Sequence, residues 1–215
     1  MLCSTRSFFG PRRTKLDLSD SDKSICSSHL YQQIYEMFSH SENVNIYVDT
    51  CTLLSAGGLD FLKSIHHAFE NTNQSLLITS AVLYELDKVG KRDLYKAKQA
   101  SVVLDYIRYM EARGTVNIVY ASTNFNDAAL VSRFITEIQT ANIILVTNDI
   151  ALSETAVNLT TFLKTYGSID PNEHTIQAFK LGQTGLIRLN ERKDIYEQHF
   201  LSESVSVAPR FFVAS

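Results

Sequence analysis

Four acidic residues stand just beyond the points where the sequence predicts four buried strands to end. These residues are Asp49, Glu85, Asp127 and Asp149. Asp49 follows the first strand directly, and Asp149 comes two positions after the fourth. Glu85 lies one turn into the helix after the second strand, and Asp127 opens the helix after the third. Ligands of open parallel α/β sheets bind outside the carboxyl ends of the strands. We therefore expect the four carboxylates to converge at one edge of a sheet.

Converging carboxylates suit a hard divalent cation, because like charges repel each other unless a cation neutralises them. Mg²⁺ and Mn²⁺ prefer oxygen ligands, and Mg²⁺ usually keeps several waters. Glu85 shares the apolar face of its helix with Val82, Leu86 and Val89, where a carboxylate needs a cation or a strong donor. A bound ion can lower the pKa of a water and stabilise charge on a phosphodiester. The pattern therefore predicts Mg²⁺- or Mn²⁺-dependent hydrolysis of phosphodiesters.

Each acid taken alone also has a purely structural explanation. Asp is a common N-cap, so Asp49 and Asp127 could each begin a helix. Asp149 could form a local turn. Glu85 could pair with one of the basic residues that follow it: Lys88, Lys91 or Arg92. A shared cation is the more economical explanation, because the structural one needs four separate coincidences at one sheet edge.

Alternating strands and helices must position these acids, which predicts right-handed βαβ units around a mostly parallel sheet. The predicted strands are residues 44–48, 76–79, 116–121 and 142–147. The predicted helices are residues 28–40, 59–70, a segment from about 81, 93–112, 127–139 and 150–158. Residues 161–166 could add a fifth strand at the edge, and residues 176–189 resemble two short strands around a turn. The fold class is therefore α/β, with a central, mostly parallel sheet.

The pattern divides the chain into three parts. Residues 1–43 form an N-terminal extension with a short helix, and residues 44–166 form the domain that carries the acids. Residues 167–215 form a C-terminal extension that includes a small hairpin packed on the domain.

Composition limits the class of protein. The 215 residues carry a net charge of −3, so a polyanion would need a local basic patch or bound cations. The three cysteines are too few and too scattered for a disulfide framework or a zinc site, which favours a reducing, cytoplasmic location. No apolar run approaches the ~18 residues of a membrane span.

The acids lie in stretches that resemble the PIN-domain nucleases, particularly their PhoH-associated and VapC-like branches. The matching stretches are "IYVDTCTLL", "LLITSAVLYELDKVG", "NFNDAAL" and "ILVTNDIAL". The resemblance covers about residues 44–166 and assigns the family's catalytic, metal-binding acids to Asp49, Glu85, Asp127 and Asp149. It implies a compact α/β/α fold and metal-dependent cleavage of single-stranded or structured RNA.

The resemblance also implies partners and supporting residues. Family members often form homodimers, and many are toxins, with an inhibitor or antitoxin protein as partner, or RNA-processing enzymes. Three neighbouring polar residues are expected to orient the acids: Thr50, Thr147 and Asn148. Cys51 departs from the pattern, because the family often has Asn at that position, and this leaves open how Asp49 is held.

A basic segment follows the helix of Glu85 and could bind the phosphates of a substrate. Its residues are Lys88, Lys91, Arg92, Lys96 and Lys98, against one acid, Asp93. A solvated start of the next helix would have the same composition. Tyr84 and Tyr95 are candidate stacking partners for bases.

These observations predict a metal-dependent endoribonuclease, and the resemblance implies that it leaves 5′-phosphate and 3′-hydroxyl ends. The main alternative is a non-catalytic PIN-type scaffold that binds RNA or protein. An aspartyl-nucleophile phosphatase is disfavoured because Cys51 occupies the position of its second aspartate. A dinucleotide-binding enzyme is disfavoured because no glycine-rich phosphate turn follows a strand.

Overall fold

A six-stranded sheet forms the centre of the computed structural model, which describes residues 28–38, 43–70, 72, 74–166, 174–183 and 185–189. The strands are β1 (Val44–Val48), β2 (Leu76–Thr79), β3 (Val116–Val119), β4 (Asn142–Val146), β5 (Ile176–Leu181) and β6 (Leu186–Leu189). Their order is β3-β2-β1-β4-β5-β6. The first five are parallel, and β6 runs antiparallel to β5.

Helices cover both faces of this sheet. They are α1 (Ser28–Phe38), α2 (Thr50–Leu53), α3 (Gly58–Phe69), α4 (Ser80–Arg92), α5 (Leu94–Ala112), α6 (Asn126–Glu137) and α7 (Ile150–Thr165). The first five helices, α1 through α5, pack in one buried apolar cluster on one face of the sheet. Helices α6 and α7 pack in a second apolar cluster on the other face. The three-layer α/β/α fold with a mostly parallel sheet is therefore confirmed.

Strand β1 shows why the sheet needs helices on both sides. Ile46 and Val48 belong to the first apolar cluster, whereas Tyr47 between them belongs to the second. All three side chains are fully buried. Successive residues of a strand point to opposite faces, so a continuous apolar run indicates a strand that is buried on both sides.

The strand order reverses between β1 and β4. The chain proceeds from β1 to β2 and β3 in one direction across the sheet, and from β4 to β5 in the other. Neighbouring strands whose following helices pack on opposite faces leave a crevice at their carboxyl ends, where ligands of such sheets bind. Asp49 and Asp149 follow the two strands that border this crevice.

One expected strand is instead helical. Residues 161–166 were a candidate edge strand, but α7 continues to Thr165. Leu152, Ala156, Leu159 and Leu163 recur at helical spacing and pack in the second apolar cluster. A short segment of apolar and β-branched residues does not distinguish a strand from the end of a helix, and packing against the sheet favours the helix here.

The two short strands expected within residues 176–189 form β5 and β6, and they extend the main sheet. β5 pairs with β4, and the turn between β5 and β6 is closed by a hydrogen bond from Gly182 N to Gly185 O at 2.8 Å. Helix α1 packs on the same core and holds β6, because the Gln33 side chain bonds both backbone groups of Leu186 at 2.7 Å. The domain limits at residues 43 and 166 stay a prediction, and residues 1–27 and 190–215 lie outside the described residues.

None of the described helices is both long enough and apolar enough to cross a membrane.

Candidate active site

Asp49 lies between β1 and α2, and its carboxylate is buried. Its backbone N–H continues the ladder to β4 by donating to Val146 O at 3.1 Å. It occupies the N-cap position of α2, but its side chain makes no capping hydrogen bond, and the residue is only 4% exposed. Helix capping therefore does not account for this carboxylate.

Three side chains from separate parts of the chain donate hydrogen bonds to the Asp49 carboxylate. Asn126 Nδ2 donates to Oδ1 at 2.5 Å, Thr147 Oγ1 donates to Oδ2 at 3.0 Å, and the Cys51 thiol also donates to Oδ2. A buried carboxylate is costly unless such donors compensate for lost water. These donors hold the side chain in one orientation at the crevice.

Asn126 was not singled out from the sequence, although it is the residue that joins α6 to Asp49. It is the first residue of α6, is 8% exposed, and also lies 3.5 Å from Thr79 Oγ1 at the start of α4. A polar residue directly before the predicted acid Asp127 was the only signal in the sequence. Its partner lies 77 positions earlier, so local periodicity does not reveal the contact.

Cys51 serves as a hydrogen-bond donor where the resembling family often has Asn. Burial raises the pKa of the Cys51 thiol to about 11, and the neighbouring Asp49 carboxylate adds to this effect. The thiol therefore keeps its proton at neutral pH and can donate it to Asp49. Its sulfur also lies 3.6 Å from Thr147 Oγ1.

Glu85 lies on the second turn of α4 and faces α2. Thr50 Oγ1, itself buried, donates to Glu85 Oε2 at 2.7 Å. Two of the basic residues that were alternative partners make other contacts, since Lys91 pairs with Asp87 at 2.5 Å and Lys88 lies 4.3 Å from the centre of the Tyr84 ring. Glu85 is thus positioned by a hydroxyl group at the start of α2.

The residues after β4 have separate structural roles. Asp149 caps α7, because its Oδ1 accepts from Leu152 N at 3.0 Å, and its own N–H donates to Thr147 Oγ1 at 3.0 Å. Asn148 Oδ1 accepts from Leu181 N at 3.1 Å and so joins the ends of β4 and β5. Asp149 therefore caps α7, where the structural alternative was only a local turn, and the residue is exposed.

Asp127 is the acid whose pKa responds to the other three carboxylates. It lies in the first turn of α6, and its side chain is exposed. Partial burial raises the pKa of Asp127, and the charges of Asp49, Asp149 and Glu85 raise it further. The carboxylates of Asp49, Glu85 and Asp149 are therefore each within electrostatic reach of Asp127.

This arrangement fits a hydrated ion better than a closed cage. Among the described residues, no three His, Cys, Asp or Glu side chains lie close enough to hold one ion together. Mg²⁺ is usually bound through one or two carboxylates and keeps several of its waters. The available ligand atoms are oxygens, and a divalent cation would relieve the repulsion that, after burial, adds to the raised pKa of Asp127.

The predicted phosphate-binding residues lie at the corner between α4 and α5. Lys91, Arg92, Lys96 and Lys98 are exposed and Lys88 is half-buried. Asp93 separates the helices and caps α5 by accepting from Tyr95 N and Lys96 N. Along α4, Lys88 to Arg92 stand about 5–10 Å beyond Glu85 at 1.5 Å per residue. The corner therefore lies about one to two helical turns beyond Glu85 along α4.

Similarity to known proteins is found among solved structures. No family model matches the chain. No curated protein matches it either. One similar solved structure is that of the PIN domain endonuclease Utp24. The two share 14% sequence identity with a TM-score of 0.43, over 70% of this chain and 96% of that one.

Proposed function

We propose that this chain is a metal-dependent endoribonuclease of the PIN-domain type. The observation that carries the proposal is Asp49, a buried carboxylate held by three donors at the crevice between β1 and β4. Stability alone does not require a buried charge there, because an apolar residue would avoid the cost of its desolvation. The resemblance of the acid-bearing motifs to PIN nucleases supports the same assignment.

Asp49, Glu85, Asp127 and Asp149 would hold one or two Mg²⁺ or Mn²⁺ ions. A bound ion of this kind supplies an activated water and stabilises charge on the phosphodiester. The protein's own contribution is orientation, because Asn126, Thr147 and Cys51 hold Asp49 and Thr50 holds Glu85. Water would add to phosphorus as the P–O3′ bond breaks, which leaves 5′-phosphate and 3′-hydroxyl ends.

Partners and location follow from the proposal. The substrate would be single-stranded or structured RNA, with phosphates held by the basic corner: Lys88, Lys91, Arg92, Lys96 and Lys98. A homodimer, a protein inhibitor or antitoxin, and a cytoplasmic location are consistent with this activity.

The test compares purified variants in RNA cleavage with Mn²⁺. Asp149→Asn is the most informative, because Asn is as good an N-cap as Asp and should preserve α7. We expect Asp149→Asn and Asp49→Asn to abolish cleavage, as should EDTA. The control Asp87→Asn removes an exposed acid on the outer side of α4 and should cleave normally. Unchanged cleavage by both site variants would refute the proposal.

A non-catalytic PIN-type scaffold is the second candidate, favoured by the finding that no three potential metal ligands meet among the described residues. Titration with Mn²⁺ separates the two. An enzyme should bind the ion and unfold at a higher temperature in its presence, with the effect weakened in Asp149→Asn. A scaffold should bind its RNA or protein equally well in EDTA.

A further inference from the structure

Phe125 is a large apolar side chain with no evident role in folding. It is 79% exposed, so the core gains nothing from its ring. It occupies the N-cap position of α6 but makes no side-chain capping bond. Ser, Thr, Asp or Asn would be the usual residue there.

The backbone of Phe125 is nevertheless held firmly next to the acids. Its N–H donates to Thr123 Oγ1 at 3.2 Å on one side. On the other side, Asn126 is buried and bonded to Asp49, and Asp127 follows it. The backbone of Phe125 is therefore anchored next to Asn126, the residue that donates to Asp49.

Other exposed apolar residues share this edge of the sheet. Ile150 follows Asp149, Tyr84 precedes Glu85, and Tyr120 follows β3. Scattered exposed apolar residues are normal in proteins, but here three of the four acids have one within two positions. Exposed apolar residues therefore accompany these acids closely in the sequence.

We propose that Phe125 stacks on a base of the bound nucleic acid and thereby positions the adjoining phosphate at the acids. This inference rests on the proposed function, which it deepens by naming a positioning residue. A phenyl ring stacks on any base and forms no hydrogen bond with it, so the contact requires an unpaired base but does not select its identity. A protein partner is less suited to the surface around the four acids, because the centre of a protein interface is depleted of charged residues.

Four variants separate stacking from a general apolar contact. Phe125→Ala removes the side chain, Phe125→Leu keeps an apolar group without a ring, and Phe125→Trp keeps an aromatic ring. The control Phe162→Ala removes a phenyl ring that is 56% exposed near the end of α7. Phe162 lies 12 residues after Ile150 in the same helix, which places it about 18 Å along the axis from the carboxyl edge.

Binding is measured by fluorescence of a single-stranded RNA that contains 2-aminopurine, with every variant in an Asp149→Asn background and Mn²⁺ present. Cleavage is measured separately without the background substitution. We expect quenching of the 2-aminopurine by the parent and Phe125→Trp. Phe125→Ala and Phe125→Leu should bind about 5- to 150-fold more weakly, the range given by loss of one base stack. Phe162→Ala should bind like the parent.

The outcomes distinguish the two proposals. Phe125-dependent quenching without cleavage by any protein would support stacking and refute the nuclease. Cleavage with normal KM in Phe125→Leu and Phe125→Ala would refute stacking and leave the nuclease intact. Loss of a protein partner in these variants, with RNA binding unchanged, would also overturn the stacking role, and absence of any RNA binding would overturn both.

Discussion

The substitution Asn126→Ala tests whether the hydrogen bond from Asn126 to the Asp49 carboxylate stabilises the folded protein. The substitution removes the Nδ2 donor of Asp49 Oδ1 and leaves that oxygen without this bond in a site where Asp49 is 4% exposed. A hydrogen bond to a charged group contributes about 1.5–3 kcal/mol. We expect the free energy of unfolding to fall by about 2 kcal/mol, which for a protein of this size lowers Tm by about 4–8 °C.

Thermal and urea unfolding in EDTA provide the measurement. Asn124→Ala is the matched control, since Asn124 lies two positions earlier and is exposed. Its substitution should change the free energy of unfolding by less than about 0.5 kcal/mol. If both variants lose equally little stability, the bond between Asn126 and Asp49 does not matter energetically and the reasoning is wrong.

A double-mutant cycle assigns the loss to this pair. In an Asp49→Asn background the acceptor is neutral, and a neutral hydrogen bond contributes only about 0.5–1.5 kcal/mol. Asn126→Ala should therefore cost about 1 kcal/mol less there than in the parent. An equal cost in both backgrounds would mean that Asn126 acts through packing on Thr79 or α6.

Three further predictions concern the neighbouring residues. Thr50→Val removes the hydroxyl that positions Glu85, so Mn²⁺ affinity measured by calorimetry should fall about 10-fold or more with the fold preserved, whereas unchanged affinity would contradict this role. The raised pKa of Asp127 means that the folded state holds this proton more tightly than the unfolded chain, so stability falls as pH rises through that pKa. Asp127→Asn should therefore raise Tm in EDTA at pH 7 by about 1–3 °C, a gain that should vanish near pH 3 and reverse in saturating Mn²⁺. Because the pKa of Cys51 is raised to about 11, its alkylation by iodoacetamide, followed by peptide mass spectrometry, should be slow at pH 8 and should quicken about tenfold per pH unit until it levels off near pH 11. Rapid alkylation at pH 8 would show that the thiol does not serve as a donor.

Local patterns were sufficient for most elements of the fold. Apolar runs predicted the type and place of β1, β2 and β4, and apolar residues at helical spacing did the same for α3 and α5. These predictions succeed because a strand buried on two faces is apolar along its length, and a helix buried along one stripe repeats apolar residues at helical spacing. The same patterns failed at the end of α7, where residues 161–166 suit either structure until the sheet packs against them. Helix α2, with four residues, is too short to leave a periodic signal.

The sequence by itself determined which acids follow the strands, since strand ends are local features and parallel strands bring their carboxyl ends to one edge. Only the tertiary structure decided how those acids are held. Asp49 takes its donors from Cys51, Asn126 and Thr147, and the last two lie 77 and 98 positions away. Such contacts depend on how α6 and β4 pack beside β1. The sequence around a polar residue does not show which distant residue folding will bring within hydrogen-bond distance.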